Sequence, residues 1–144
     1  MSAVLSLYQI RMPGTARTKD DAIRESGQIL VDVGAVDPAY IDSMFDRERS
    51  VSTYMGNYLA IPHGTNESKE SIKRSALSVI RYPEPIDWDG NEVLFALGIA
   101  GYQGGHMDIL SRIAIVFSDT DEVDKLVAAR SAREIYDLLN AVNE

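Results

Sequence analysis

Between residues 18 and 34, Ile23, Ser26, Ile29, Leu30 and Val33 recur at helical spacing. Thr18 stands where a capping side chain accepts a backbone N–H, Asp21 follows at the capping-box distance, and acidic residues fill the first turn. Gly34 is the expected stop, since glycine takes the left-handed conformation that closes a helix. A second helix is predicted from Asp37, with Pro38 at its first helical position, where a missing N–H costs nothing. It would carry Ile41, Met44 and Phe45 toward the core and end near Arg49.

The strands are predicted by different patterns. Residues 5–10 form a short apolar stretch broken by Pro13-Gly14, and residues 58–61 form another that Pro62 must stop or turn, giving a strand that ends at His63. Residues 67–74 read as a short polar helix, and residues 76–81 alternate in strand fashion. Pro83, Pro85 and Asp89-Gly90 predict a turn-rich connection. Residues 93–100 are almost unbroken apolar, the mark of a central strand covered on both faces. After a loose segment, 101–105, a helix is predicted from His106 with Ile109, Leu110, Ile113, Val116 and Phe117 on its buried stripe. Two more follow over 119–129 and 131–142, the latter opened by Ser131 with Glu134 in capping-box position. The expected fold is α/β, a small mixed β-sheet flanked by α-helices on both sides. With no repeat, low-complexity tract or long linker, it forms a single domain over residues 1–144.

Composition narrows the possible functions. The 22 acidic and 14 basic side chains give a formal charge of −8, a poor match for a phosphate backbone, so no nucleic-acid partner is expected. The absence of cysteine excludes disulfides, thiolate metal sites and a phosphocysteine intermediate on this chain. The apolar run 93–100 is far shorter than the ~20 residues a membrane helix needs, so no direct membrane insertion is expected. No secretory pattern opens the chain, and the cytoplasm is the expected location.

Two histidines carry the candidate chemistry. His63 lies between Pro62, which fixes the approach of the chain, and Gly64, which relaxes the backbone beside the ring. A neutral imidazole is a nucleophile near pH 7, and phosphorylation of its lone-pair nitrogen yields a reactive P–N bond. In isolation the same placement also suits an ordinary turn histidine. His106 follows Gly104-Gly105 at a helix start, where open N–H groups and the helix dipole favour an anion. No HExxH-like spacing supplies the two histidines with a third ligand, so no metal site is expected, nor any cofactor. In the run Asp46-Arg47-Glu48-Arg49, Arg47 shares a helical flank with Tyr40 and Met44, but spacing alone does not choose between Arg47 and Arg49 as a phosphoryl ligand.

The stretch from Asp46 to Thr65, with Ile61-Pro62-His63-Gly64 inside it, resembles the phosphorylation-site signature of the mannitol and fructose class of IIA proteins of the bacterial sugar phosphotransferase system. The resemblance continues through Arg81-Tyr82-Pro83, Gly98-Ile99-Ala100 and the helix start at Gly105-His106-Met107, and so covers most of the chain. It departs at Asn57 and at Gly105, where glutamate is common in the class. The resemblance implies that His63 accepts the phosphoryl group, that His106 is a second active-site histidine, and that Arg47 stabilises the phosphoryl oxygens. It further implies a phosphotransferase that takes phosphate from the carrier protein HPr and passes it to a cysteine on the IIB domain of a membrane IIBC permease. The alternatives are a fructose-type IIA, a nitrogen-type regulatory IIA paralogue signalling by its phosphorylation state, and a binding module that has lost phosphoryl transfer. The Tyr54-Met55-Gly56 and Arg81-Tyr82-Pro83 segments favour the mannitol type.

Overall fold

A computed structural model describes residues 4–143, with the side chains at 66, 67, 69, 106 and 141 outside the described set. Five strands form one mixed sheet in the order β1-β4-β5-β3-β2, with β1 at Ile10–Arg11, β2 at Tyr54–Gly56, β3 at Leu59–Ala60, β4 at Ala76–Trp88 and β5 at Asn91–Ala100. Helices α1 (Lys19–Asp32) and α2 (Ala39–Ser50) cover one face, and α3 (His106–Phe117), α4 (Thr120–Ala128) and α5 (Ala132–Leu139) the other. The α/β class, the mixed sheet and the two helical layers are those expected from the sequence.

The sheet separates two apolar cores because side chains on a strand alternate between its faces. On β5, Phe95, Leu97 and Ile99 join the core under α3, α4 and α5, while Ala96 and Ala100 join the core under α1 and α2. The small side chains let α1 approach closely. Ser78 Oγ donates to the Ser26 carbonyl at 2.9 Å and accepts the Gly98 N–H at 3.1 Å, stitching α1, β4 and β5 together. With β4 on one side and β3 on the other, β5 is the central strand that its apolar run predicted.

The helix boundaries follow local chemistry. The Thr18 side chain accepts the Asp21 N–H at 3.2 Å, and Gly34 takes φ +76° just past the end of α1. Ser131 accepts the Glu134 N–H at 3.2 Å, and Asp119 caps α4 through the Asp121 N–H. In α2 the buried stripe is Tyr40, Met44 and Glu48, so the expected Ile41 and Phe45 are only half-buried. A carboxylate occupying a core position is the reason periodicity pointed one residue too far round the helix.

Two segments differ more substantially. The predicted turn-rich connection over Pro83 and Pro85 is part of β4, which continues to Trp88. The prolines lie in an exposed irregularity between Arg81 and Ile86, where neither needs to donate to the ladder. The turn proper is Asp89-Gly90, both at positive φ, the geometry of a two-residue hairpin loop. A second hairpin, β2–β3, turns through Asn57-Tyr58 at φ 51° and 69°. Tyrosine is not a residue from which such a turn is predicted. The expected helix over 67–74 is a 3-10 segment at Asn66–Ser71.

Candidate active site at the carboxyl ends of β3 and β5

Strand β3 runs parallel to β5, pairing Leu59 with Phe95 and Ala60 with Ala96. Beyond β3 the chain stays alongside β5: the Ile99 N–H donates to the Pro62 carbonyl at 3.0 Å, and His63 bridges to Ile99. The chain leaving β5 forms a short 3-10 turn, Tyr102–Gly104, and enters α3 at His106. His63 and the N-terminus of α3 therefore lie where two parallel strands end, the edge at which open α/β sheets present their ligand sites.

His63 is half-buried. Its Nδ1 lies 2.8 Å from the Ile61 carbonyl oxygen. A carbonyl only accepts, so Nδ1 carries the hydrogen, and in the neutral ring the lone pair resides on Nε2. Composition and spacing left the tautomer of the ring open; this contact places the hydrogen on Nδ1.

Helix α2 holds the loop that follows. The Gly64 N–H donates to the Tyr40 hydroxyl at 2.8 Å, the Thr65 N–H donates to Ser43 Oγ at 3.0 Å, and the Tyr40 hydroxyl donates to the Ile99 carbonyl at 2.7 Å. Burial pushes the Tyr40 hydroxyl up to about 12, against the opposing pull of the Gly64 N–H, so it stays protonated at neutral pH. A Cβ on Gly64 would meet Ser43 Oγ and lie 2.5 Å from Tyr40 Cε1. Glycine is needed here for this close approach, since its φ is not in the left-handed region.

Arg47 follows Tyr40 and Ser43 on the same flank of α2, at the i, i+3, i+7 spacing. Its Nη1 donates to the Val51 carbonyl at 2.6 Å, past the end of the helix. Arg49 instead pairs with Asp46 on the exposed side. The structure thus separates two arginines that spacing left equivalent. The backbone of His106 opens α3, with the open N–H groups of the first turn ahead of it. Its side chain lies outside the described residues, and so does its expected part in the site. Among the described residues, no three His, Asp or Glu side chains converge as a metal site requires.

Ser43, Glu48 and Thr53 were not among the residues singled out from the sequence, and Tyr40 was named only for sharing the flank of Arg47. Only Glu48 left a signal there, as an acidic residue in step with Tyr40 and Met44. Of the segments carrying the resemblance, Arg81-Tyr82-Pro83 proves to be structural: Arg81 Nη2 donates to the Val127 carbonyl at the end of α4, and the Tyr82 hydroxyl donates to Glu25. Asn57 Nδ2 donates to the Phe117 carbonyl at 2.7 Å, at the C-terminus of α3. That is the far end of the helix from position 106, about 16 Å away at 1.5 Å per residue.

The sequence model described as "Phosphoenolpyruvate-dependent sugar phosphotransferase system, EIIA 2" matches residues 3–142. The chain belongs to this family. It is 49% identical over 141 residues to the mannitol-specific phosphotransferase enzyme IIA component of Halalkalibacterium halodurans, covering 98% of this chain and 97% of that one. Its fold matches the enzyme IIAMTL solved in complex with phosphorylated enzyme IIBMTL from Escherichia coli, with a TM-score of 0.89 and 29% identity over 95% of this chain and 97% of that chain. The crystal structure of IIA mannitol from Escherichia coli matches with a TM-score of 0.86 and 30% identity, over 94% and 98% of the two chains. No helix among the described residues of this EIIA 2 family member is long and apolar enough to cross a membrane.

Proposed function

We propose that this EIIA 2 protein is a mannitol-type phosphoryl carrier of the cytoplasm, which takes phosphate from phospho-HPr on His63 and passes it to the cysteine of a IIB domain. The observation that carries this reading is the contact of His63 Nδ1 with the Ile61 carbonyl, beside the segment Gly64-Thr65 that α2 grips through one hydrogen bond to each residue. It presents Nε2 as the nucleophile on a backbone that cannot easily move.

In the first transfer the Nε2 lone pair attacks phosphorus in line with the departing HPr nitrogen. The new N–P bond forms as the old one breaks, and the electron pair returns to the HPr imidazole. Nδ1 keeps its hydrogen on Ile61, so the positive charge developing on the ring is met by a carbonyl dipole. In the second transfer a IIB thiolate attacks, and the N–P electron pair returns to Nε2. Positioning and charge stabilisation supply most of the catalysis in such reactions. Arg47 would contribute a permanent charge and forked donors, while His106 and the first N–H groups of α3 would face the equatorial oxygens.

The test is incubation with phosphoenolpyruvate, enzyme I and HPr, followed by location of the acid-labile phosphate. His63→Gln should abolish labelling with the fold intact, and His106→Ala should slow it by roughly 10²–10³, the loss seen when one preorganised donor is removed. Transfer onward to a purified mannitol-type IIB domain should outpace transfer to a fructose-type one. Phosphate retained on His63→Gln would remove the central assignment.

A further inference from the structure

Glu48 has almost no exposed side-chain surface, at 3%, and no place in the chemistry just described. Burial of a carboxylate is costly unless donors surround it. Here four groups do. The Thr53 N–H donates to Oε2 at 2.9 Å, the Thr53 hydroxyl to Oε1 at 2.5 Å and the Trp88 indole N–H to Oε2 at 3.2 Å, while Lys19 Nζ stands 3.7 Å from Oε2. Lys19 also pairs with Asp89 at 2.7 Å. Burial works to lower the Lys19 ammonium, but the Asp89 hydrogen bond and the charges of Glu48, Asp89 and Asp20 outweigh it and hold it above the ordinary lysine value.

The cluster leads to the site. Thr53, pinned twice by Glu48, accepts the Ile61 N–H on its carbonyl at 3.1 Å, and the Ile61 carbonyl in turn holds His63 Nδ1 at 2.8 Å. Hydrogen bonds to an ionised acceptor are short, strong and directional, which an apolar filler at position 48 would not be.

We propose, resting on the reading of His63 as phosphoryl acceptor, that Glu48 is a positioning residue: through Thr53 and Ile61 its carboxylate holds the His63 ring in the Nδ1–H tautomer. The effect is exerted on ring orientation, not on binding of the donor protein.

Thr53→Val keeps the shape of the side chain and removes its hydroxyl, and Thr53→Ser restores a hydroxyl. Two measurements are made on the full chain. Histidine ¹⁵N NMR above the titration range of the ring, assigned with His63→Gln, reads the tautomer. Single-turnover transfer from phospho-HPr reads the maximal rate and the half-saturating HPr concentration. In the parent protein His63 should be in the Nδ1–H form. In Thr53→Val and in Glu48→Gln the Nε2–H form should appear, and the maximal rate should fall about tenfold with half-saturation unchanged, less than the roughly 10²-fold that a 1 Å misplacement of a reacting group costs because part of the ring population keeps the Nδ1–H form. Thr53→Ser should recover both. Trp88→Phe, which touches the same carboxylate away from the path to His63, should lower thermal stability and leave tautomer and rate unchanged. An unaltered tautomer in both Thr53→Val and Glu48→Gln overturns the proposal, as does a rate loss that follows stability across all four variants. A parent protein that takes no phosphate would sink the carrier reading alone, because the tautomer measurement decides the role of Glu48 without any transfer.

Discussion

Tyr40 joins the two strand ends of the site with one oxygen: its hydroxyl donates to the Ile99 carbonyl at 2.7 Å and accepts the Gly64 N–H at 2.8 Å. Ile99 belongs to β5 and Gly64 follows His63, so a single buried side chain of α2 fixes the His63 loop against the central strand.

Gly64→Ala should slow phosphoryl transfer more than it unfolds the protein. The added Cβ meets Ser43 Oγ and the Tyr40 ring, and relief of that overlap must move either the loop or α2. A destabilisation of about 1–3 kcal/mol is expected from overpacking. Chemical denaturation and single-turnover labelling on the same sample check the pair of effects, and a folded variant with the parent rate would show that the close approach does not matter to His63.

Arg47→Lys should slow transfer by about tenfold or more, while Arg49→Lys should have almost no effect. Lysine keeps the charge and loses the forked donors. Arg47 lies on the flank of Tyr40 and Ser43, whereas Arg49 is exposed and engaged with Asp46. Equal rates for the two variants would show that the wrong arginine has been assigned.

Asn57→Glu should lower stability by about 1–2 kcal/mol and leave the transfer rate alone. The present amide donates to the Phe117 carbonyl, and an ionised carboxylate would face that carbonyl and the negative end of the α3 dipole instead. Thermal melts at neutral pH measure the first effect and labelling from phospho-HPr the second.

Glu25 should dominate a separate acid-induced loss of stability. Burial alone would raise its carboxyl, but the Thr15 N–H, Arg11, the Thr15 hydroxyl and the Ala16 N–H together bring it down from 4.5 to about 2. A depressed carboxyl contributes stability that is fully present above 4.5 and is lost as pH falls from there toward about 2. The shift corresponds to about 3 kcal/mol. Glu25→Gln should therefore be less stable than the parent at pH 7 and show a flatter decline between pH 4.5 and 2. Parallel stability curves for the two proteins across that window would contradict the prediction.

Much of this fold could be read from periodicity because its elements carry their own signals. Thr18 and Ser131 cap helices with side chains that reach only three residues along the chain, and the run 93–100 is apolar throughout because β5 lies in the middle of the sheet. His63 stood out through the signature Ile61-Pro62-His63-Gly64, since its place between a proline and a glycine suits an ordinary turn histidine equally well. Part of what the sequence did not disclose depends on partners distant in the chain. Pro83 and Pro85 remain in a strand because β5 pairs on either side of them, and Tyr58 accepts a positive φ as its carbonyl receives the Leu94 and Phe95 N–H groups at 2.9 and 3.0 Å. Glu48 is a core carboxylate because the indole of Trp88, 40 residues away, donates to it. The contacts of His63 Nδ1 with Ile61, of Arg47 with Val51 and of Arg49 with Asp46 span only two to four residues, yet spacing did not disclose them, because it says which residues are near in the chain and not how the folded backbone turns their donors and acceptors toward one another.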